Sequence, residues 1–181
     1  MKSLIMFALI LIFSPGDVGF MDGKVLQAGG FDVIGITVRT TNKAEMTADG
    51  KIPKMWGEIF SKGIIDKIPN KADSNIIVLY CDYQSDKDLE YTYLIGAKVT
   101  SIASVPEGMV SKKVPAAKYA LFTSERGPVA QVVQNIWKHI WEVPKDQPGG
   151  DRTYKVDYEV YEPARSHDPQ DSQVDVYIGI K

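Results

Sequence analysis

The sequence predicts an α+β fold: a duplicated β-α-β-β module whose two antiparallel-sheet halves are related by pseudo-twofold symmetry, with a ligand cleft between them. Three observations lead to this prediction. Strand-like segments alternate with helical patterns, both halves of the chain show them in the same order, and aromatic motifs of the first half return in the second. The paired motifs are Trp56/Phe60 and Trp137/Trp141, Tyr93–Lys98 and Val176–Lys181, and Tyr80–Tyr83 and Tyr158–Tyr161.

The first module has the order strand, helix, strand, strand. Residues 31–40 alternate apolar and polar side chains and are rich in β-branched residues, which predicts a strand. Residues 51–62 carry apolar side chains at helical spacing, and Pro53 suits the first turn of that helix. The short apolar run 75–82 predicts a buried strand, and residues 91–101 predict the next strand after an acidic turn.

The second module repeats this order. Residues 118–123 predict a strand, and Gly127-Pro128 opens a helix whose apolar side chains lie along one side as far as Trp141. Residues 154–162 and 175–181 predict the last two strands. The repeats therefore span about residues 31–104 and 111–181. With the segment that precedes them, they form one domain over residues 21–181.

The first twenty residues form an apolar N-terminal extension with an apolar run over residues 4–13. A run of this length is too short for a stable membrane span, which needs roughly twenty residues. The extension resembles either sequence upstream of the true start, since Met21 reads as a normal start, or a secretory signal with a poor cleavage region. We expect a cytoplasmic protein in the first case and a secreted or periplasmic one in the second.

Composition excludes several classes of function. Net charge is −2 and the basic residues are scattered, which argues against direct nucleic-acid binding. Cys81 is the single cysteine, so neither an internal disulfide nor a paired-cysteine metal site is possible. With only two histidines and no phosphate-binding glycine loop, we expect no metal and no cofactor.

Glu159 is the most informative single residue. Because strand side chains alternate, Glu159 shares a face with Tyr161, while Tyr158 and Val160 share the other. Either face brings aromatic rings close to the carboxylate, and a carboxylate buried among rings requires compensation. A lipophilic cation compensates it through ion pairing and attraction to the rings. The alternative from the sequence alone is a glutamate on an edge strand that points into solvent.

The remaining candidate ligand-binding residues are aromatic side chains of the predicted strands and helices. They are Trp56, Tyr80, Tyr93, Tyr119, Phe122, Trp137, Tyr161 and Tyr177. Such residues can line a groove that is apolar but carries polar hydroxyls. The alternative is core packing, because rings four residues apart on a helix mostly pack together and tyrosine is a common strand residue. We expect one ring of each helical aromatic pair to reach the cleft.

Five motifs, taken in their order along the chain, resemble the motifs of a known family. They are Gly35-Ile36 with Val38-Arg39-Thr40, Ile52-Pro53 with Trp56 and Phe60, the strand over residues 91–98, Val114-Pro115-Ala116 with Lys118-Tyr119-Ala120 and Phe122, and Asp157-Tyr158-Glu159 with Tyr161 ahead of Val176-Tyr177-Ile178-Gly179-Ile180. Together they cover residues 31–181 and resemble the GyrI-like effector-binding domains, the ligand-sensing modules of multidrug-responsive transcription activators. The Ile-Gly-Ile-Lys ending resembles the stand-alone and integron-cassette subgroup.

The resemblance implies a cleft that binds lipophilic, often cationic molecules, and a buried glutamate at the position of Glu159 that pairs with the positive charge. The expected function is a stand-alone small-molecule binding protein. One alternative is a hydrolase of strained cyclopropane-bearing toxins, with Glu159 assisted by a tyrosine or tryptophan. Another is a protein-interaction regulator, such as a topoisomerase inhibitor or a partner-dependent transcription regulator, since no DNA-binding domain is expected before residue 31. These interpretations are also compatible with a homodimer.

The two modules differ at the position that carries the charge. Alignment of Tyr80-Cys81-Asp82-Tyr83 with Tyr158-Glu159-Val160-Tyr161 places Cys81 opposite Glu159. On this alignment, both halves supply aromatic walls and only the second half supplies a carboxylate. A bound ligand is therefore expected to direct its cationic end toward the second half.

Overall fold

The computed structural model describes residues 21–181 and contains one eight-stranded antiparallel sheet with few helices. The strands are β1 (Met21–Ala28), β2 (Phe31–Thr40), β3 (Ile76–Cys81), β4 (Tyr91–Val99), β5 (Val110–Val114), β6 (Ala117–Thr123), β7 (Val156–Tyr161) and β8 (Asp175–Gly179). The helices are α1 (Asn42–Glu45), α2 (Ile52–Ser61), α3 (Val129–Glu142) and α4 (Pro163–Ser166). The α+β class, the six predicted strands and the two predicted helices are confirmed, with element ends shifted by a few residues.

The strands follow the order β1-β6-β8-β7-β3-β4-β2-β5 across the sheet. Read outward from the centre, one side of the sheet runs β7, β8, β6, β1 and the other runs β3, β4, β2, β5, so each side ends in an edge strand from the other half of the chain. The halves join where β3 pairs with β7, from Ile76 opposite Tyr161 to Cys81 opposite Val156. They therefore form one continuous sheet, whereas the sequence predicted two sheet halves with a cleft between them.

The two edge strands, β1 and β5, were not predicted from the sequence. β1 leads directly into β2 through Gly29-Gly30, yet it pairs with β6 on the far side of the sheet. β5 likewise leads into β6 but pairs with β2. β5 carries Lys112 and Lys113, and charged edge strands are a common protection against pairing with other chains. Such polar segments lack the apolar alternation on which a strand prediction depends.

The two long helices, α2 and α3, pack on the face of the sheet that carries Glu159. Met55 and Ile59 of α2 and Ile136 and Trp137 of α3 join one buried cluster with strand residues that include Tyr161. The cleft opens on this same face, since residues of both helices are among those that line it. Alternation shows which side chains share a face, but it cannot show which face the helices cover.

A close approach of two strands explains why glycine follows isoleucine at two places in the first half, Ile34-Gly35 and Ile95-Gly96. Gly35 of β2 lies directly opposite Gly96 of β4. A Cβ atom at Gly96 would lie 2.0 Å from the carbonyl oxygen of Ile34, and one at Gly35 would lie 2.1 Å from that of Ile95. The two strands therefore approach each other too closely at this point for any side chain.

No helix among residues 21–181 is both long enough and apolar enough to cross a membrane. The expectations for the apolar extension, residues 1–20, lie outside the described residues.

Candidate ligand-binding site

Glu159 lies in the middle of β7, a strand in the interior of the sheet with a neighbouring strand on each side. It is opposite Val78 of β3 on one side and Val176 of β8 on the other. Its exposed fraction is 0%. The side chain therefore projects into the layer between the sheet and the two long helices, as Tyr161 does two residues later. The edge-strand alternative does not hold, because β7 is at the centre of the sheet.

Three neutral donors hold the carboxylate. The Tyr80 hydroxyl donates to Oε1 at 2.8 Å, and the indole Nε1–H of Trp137 donates to the same oxygen at 2.5 Å. The Tyr161 hydroxyl donates to Oε2 at 2.7 Å. These hydrogen bonds offset part of the cost of removing a carboxylate from water. They come from β3, α3 and β7, so the arrangement exists only in the folded chain.

Burial has the largest effect on the pKa of Glu159. Loss of water raises its pKa above the usual carboxyl range, while hydrogen bonds from Trp137, Tyr161 and Tyr80 act in the opposite direction. Burial, and next the charge of Glu159, raise the pKa of Tyr80, Tyr93 and Tyr161 well above the usual tyrosine range. These tyrosines therefore remain protonated hydrogen-bond donors at physiological pH.

Aromatic rings surround this carboxylate. Tyr80 makes an edge-to-face contact with Tyr93 at 5.2 Å between ring centroids and a tilted contact with Trp137 at 4.7 Å. Trp56 of α2 contacts the ring of Tyr161 at 5.1 Å, and its Nε1–H donates to the Tyr93 hydroxyl at 3.1 Å. The rings thus present π-faces and hydroxyl groups around a single buried negative charge.

A cleft of about 550 Å³ opens directly above this layer. Its lining comes from α1, the start of α2, strands β3 and β4, and one side of α3. The lining residues are Asn42, Glu45, Met46, Thr47, Ile52, Tyr80, Tyr83, Lys87, Tyr91, Val133, Gln134, Trp137, Lys138, Trp141 and Arg152. Glu159 is not among them. Its hydrogen-bond partners Tyr80 and Trp137 are, so they separate the carboxylate from the open cleft.

The cleft carries charges of both signs. The Glu45 carboxylate accepts hydrogen bonds from the backbone N–H groups of Lys51 and Ile52, at 3.1 and 3.0 Å, and so caps the first turn of α2. Arg152 also lines the cleft and forms a buried ion pair with Asp157 at 2.5 Å. Neither residue was a candidate from the sequence, because the partners of each come from folding and not from local spacing.

The structure brings six of the nine candidate residues together around one carboxylate: Glu159, Trp56, Tyr80, Tyr93, Trp137 and Tyr161. Phe122 belongs to the same core, but its ring contacts His139 and is not part of the cleft lining. Tyr119 and Tyr177 lie on the opposite face, where both contact Tyr158. Their strand positions have the other parity, so their side chains cannot point toward Glu159.

Two further tyrosines and a second tryptophan also line the cleft. The tyrosines are Tyr83 and Tyr91, which lie beside Tyr80 in the lining. Both rings of the second helical pair, Trp137 and Trp141, reach the cleft, whereas we expected one ring of each pair. Trp56 of the first pair lies in the aromatic layer beside Tyr161 and outside the cleft lining.

The alignment of Cys81 with Glu159 is wrong. Tyr80 pairs with Tyr93, and Glu159 pairs with Val176. Tyr93 and Val176 are the first residues of the paired motifs Tyr93–Lys98 and Val176–Lys181, so they occupy corresponding positions. The counterpart of Glu159 is therefore Tyr80. Cys81 projects to the other face. The two modules therefore place a phenol and a carboxylate at corresponding positions, and these two groups hydrogen-bond to each other.

Comparison with known proteins places this geometry in a family. Residues 25–180 match the family model described as Cass2, integron-associated effector binding protein. The chain is 32% identical to the putative transcriptional regulator protein YobU of Bacillus subtilis over 148 residues, which cover 81% of this chain and 90% of YobU.

Two solved structures share the fold. The integron cassette protein VCH_CASS2, from the mobile metagenome of Vibrio cholerae, has a TM-score of 0.65 at 25% identity, covering 90% of this chain and 97% of its own. SAV2435, whose structure was solved bound to tetraphenylphosphonium, has a TM-score of 0.66 at 17% identity, covering 89% and 94%. The family match spans nearly the whole described chain, and the sheet and helices agree with it. The chain therefore belongs to the Cass2 family of integron-associated effector-binding proteins, within the GyrI-like group.

Proposed function

We propose that this protein binds a lipophilic cation and that Glu159 supplies the counter-charge. One observation carries the proposal: Glu159 is fully buried, and its three hydrogen-bond donors are all neutral. No cationic side chain among residues 21–181 contributes to its pKa. A buried carboxylate without a cationic partner is costly, and a ligand cation removes that cost.

The surroundings of Glu159 favour a cation that is also apolar. Tyr80, Tyr93, Trp137 and Tyr161 offer ring faces, which attract a positive charge by about 0.5–2 kcal/mol each when water is excluded. The cleft volume of about 550 Å³ lies within the range typical of small-molecule sites. The tetraphenylphosphonium bound to SAV2435 is a ligand of this chemical class, in a protein with the same fold.

The duplicated module accounts for the geometry of the site. The strand order repeats outward from the β3–β7 junction, which supports the interpretation that two β-α-β-β units are related by a pseudo-twofold axis there. Tyr80 and Glu159 occupy corresponding positions beside that junction, and the cleft extends from them between the helices. A ligand reaches the carboxylate when the side chains of Tyr80 and Trp137 move aside.

The test compares a cation with a neutral molecule of similar shape. Tetraphenylphosphonium and triphenylphosphine oxide are titrated into the wild-type protein and into a Glu159→Gln variant by isothermal calorimetry. Loss of the counter-charge is expected to weaken phosphonium binding about 5- to 30-fold, which corresponds to roughly 1–2 kcal/mol. Binding of the neutral oxide is expected to change less than about twofold, because it has no net charge to compensate.

A Glu58→Gln variant is the matched control, since Glu58 is a partly exposed glutamate on α2 that forms a salt bridge with Lys62 and is not part of the cleft lining. It should leave both affinities unchanged. Equal losses for the phosphonium and the neutral oxide in Glu159→Gln would contradict the counter-charge role.

A second candidate function is the hydrolysis of strained cyclopropane-bearing toxins. The observation that favours it is the direct contact of Glu159 with Tyr80 and Tyr161, which places a carboxylate of raised pKa beside two phenolic proton donors. Incubation with a reactive cyclopropane substrate, followed by mass spectrometry of the product, tests this function. Turnover equal to that in buffer would remove it for that substrate.

A regulatory role is a third proposal. The name of YobU describes a putative transcriptional regulator, and this chain would act in that way if effector binding changed its contact with a protein partner. Pull-down with wild-type and Glu159→Gln protein, with and without phosphonium, would separate an effector-dependent partner from one that is indifferent to the cleft. A cytoplasmic location and a homodimer remain predictions.

A further inference from the structure

Arg152 lines the same cleft, although its charged side chain is almost completely buried. Its side chain is 4% exposed, and Nη2 donates to the Asp157 carboxylate, which is itself fully buried, at 2.5 Å. The guanidinium lies over the ring of Tyr154, 4.5 Å from the centroid, and over the ring of Trp137 at 5.6 Å. Two aromatic faces and a carboxylate thus hold it in place beside the cleft.

Two nitrogens of this guanidinium have no hydrogen-bond partner in the part of the chain that the structure describes. Nε and Nη1 are buried, and neither has a partner among residues 21–181. An unsatisfied buried donor costs about 1–3 kcal/mol, and more when the group is charged. Asp157 also accepts from the Tyr83 hydroxyl at 2.7 Å and from the Gly179 N–H at 2.8 Å, so each of its oxygens already has a donor. The protein's own acceptors therefore leave part of the guanidinium available.

The backbone is strained at Tyr154, two residues after Arg152. Tyr154 has a φ of 51°, in the left-handed region that tyrosine rarely adopts. That conformation accompanies the position of its ring over the guanidinium, where it also contacts the ring of Tyr83. A strained residue that covers an unsatisfied donor group is typical of a binding site.

Trp137 links Arg152 to Glu159. Its Nε1–H donates to the Glu159 carboxylate, and its ring lies against the Arg152 guanidinium. Both Trp137 and Arg152 line the cleft. A ligand that displaces the Trp137 ring therefore exposes a carboxylate and a set of unsatisfied guanidinium donors at the same time.

We propose that Arg152 forms a second subsite, which binds a carboxylate or carbonyl oxygen of the ligand through Nε and Nη1. The inference rests on the proposed cation binding at Glu159 and narrows its ligand class: the effector is a lipophilic cation that also carries an acceptor oxygen. The pair of charges gives the ligand a fixed orientation, with its cationic centre at Glu159 and its acceptor group at Arg152.

The experiment uses benzyltriphenylphosphonium and its (4-carboxybenzyl) and (4-methoxycarbonylbenzyl) derivatives, titrated by calorimetry. In the wild-type protein, at least one of the two oxygen-bearing probes is expected to bind about tenfold more tightly than the unsubstituted cation, since it satisfies donors that otherwise stay unpaired. Comparison of the affinities of the carboxylate probe and the ester probe shows whether Arg152 prefers an anionic acceptor or a neutral one.

An Arg152→Lys variant keeps the positive charge beside Asp157 but removes the planar group with Nε and Nη1. It is expected to abolish the preference for the oxygen-bearing probes, measured as the ratio of their affinities to that of the unsubstituted cation in the same variant. Arg165→Lys is the matched control, because Arg165 also pairs with a carboxylate, that of Asp175, but is not part of the cleft lining. Thermal unfolding of both variants checks that each is folded.

Equal affinities for the three probes in the wild-type protein would overturn the subsite, as would an unchanged preference in Arg152→Lys. Either result leaves cation binding at Glu159 intact. Failure of all three probes to bind would overturn the cation site itself, and the subsite with it.

Discussion

Glu159 is maintained at an energetic disadvantage that a ligand can relieve. The residue is buried at 0% exposure, and its three donors are neutral groups from three different elements. A protein that needed this position only for packing would be better served by an apolar or amide side chain. Under the proposed function, this position costs stability in the free protein and gives affinity in the complex.

The pH dependence of stability should show this cost. Since burial raises the folded-state pKa of Glu159 above its unfolded value near 4.5, the folded state favours the protonated form. The associated stabilisation is present below pH 4.5 and is lost as pH rises through the folded-state pKa. Glu159→Gln cannot titrate, so its melting temperature relative to wild type is expected to increase as pH rises.

The measurement is thermal unfolding of both proteins between about pH 4 and pH 8, and the difference between the two curves removes the contribution of every other titrating group. Tyr80, Tyr93 and Tyr161 stay protonated over this range because their pKa values are raised well above the usual tyrosine range. A difference that is constant, or that shrinks with rising pH, would argue against a raised pKa of Glu159 in the folded protein, and so against an energetic cost of ionising it there.

At the scale of elements, the alternation of apolar and polar residues and their helical spacing were sufficient to predict the central strands and the long helices. The bounds predicted for β2, residues 31–40, match the structure because the segment alternates cleanly and ends at polar residues. The edge strands β1 and β5 could not be predicted, since edge strands need no continuous apolar pattern. Tyr119 and Tyr177 were misplaced because a strand pattern gives relative faces only, and Arg152 was missed because its role depends on Trp137 and Tyr154 after folding.

The β2–β4 ladder gives a prediction about backbone contact. A Gly96→Ala substitution forces a methyl group to within 2.0 Å of the Ile34 carbonyl oxygen, so the strands must separate locally. We expect a loss of about 1–3 kcal/mol in the free energy of unfolding, as for other overpacked sites, measured by urea denaturation.

Gly57 provides the internal comparison for that substitution. It lies inside α2, where a Cβ atom would meet no atom within 4 Å. Gly57→Ala is expected to stabilise the protein by about 0.5–1 kcal/mol, because alanine is the better helix former. If Gly96→Ala proved as harmless as Gly57→Ala, the close approach of β2 and β4 would be refuted.

At the scale of the whole molecule, the two modules behave as one structural unit. β3 pairs with β7 along its full length, and the main core cluster combines α2 and β4 of the first half with α3, β6 and β8 of the second. Neither module can bury its apolar face alone. The site depends on this union, because Tyr80 comes from the first module, and Trp137, Tyr161 and Glu159 come from the second.

Equilibrium unfolding should therefore be a single cooperative transition. Tryptophan fluorescence reports on both modules, through Trp56 in the first and Trp137 and Trp141 in the second, while far-UV circular dichroism reports on the sheet and helices. The two signals are expected to change together at one urea concentration. Separate midpoints for the two signals would show that the modules fold independently.

The most direct measurement of the central claim is a crystal structure of the protein with tetraphenylphosphonium. The phosphorus atom is expected within about 6 Å of the Glu159 carboxylate, the distance over which an opposite charge stabilises an ionised group. The rings of Tyr80 and Trp137 should be displaced to form the walls of the site, and the Trp137–Glu159 hydrogen bond should be broken. A phosphonium bound elsewhere, with all three hydrogen bonds to Glu159 intact, would contradict the account.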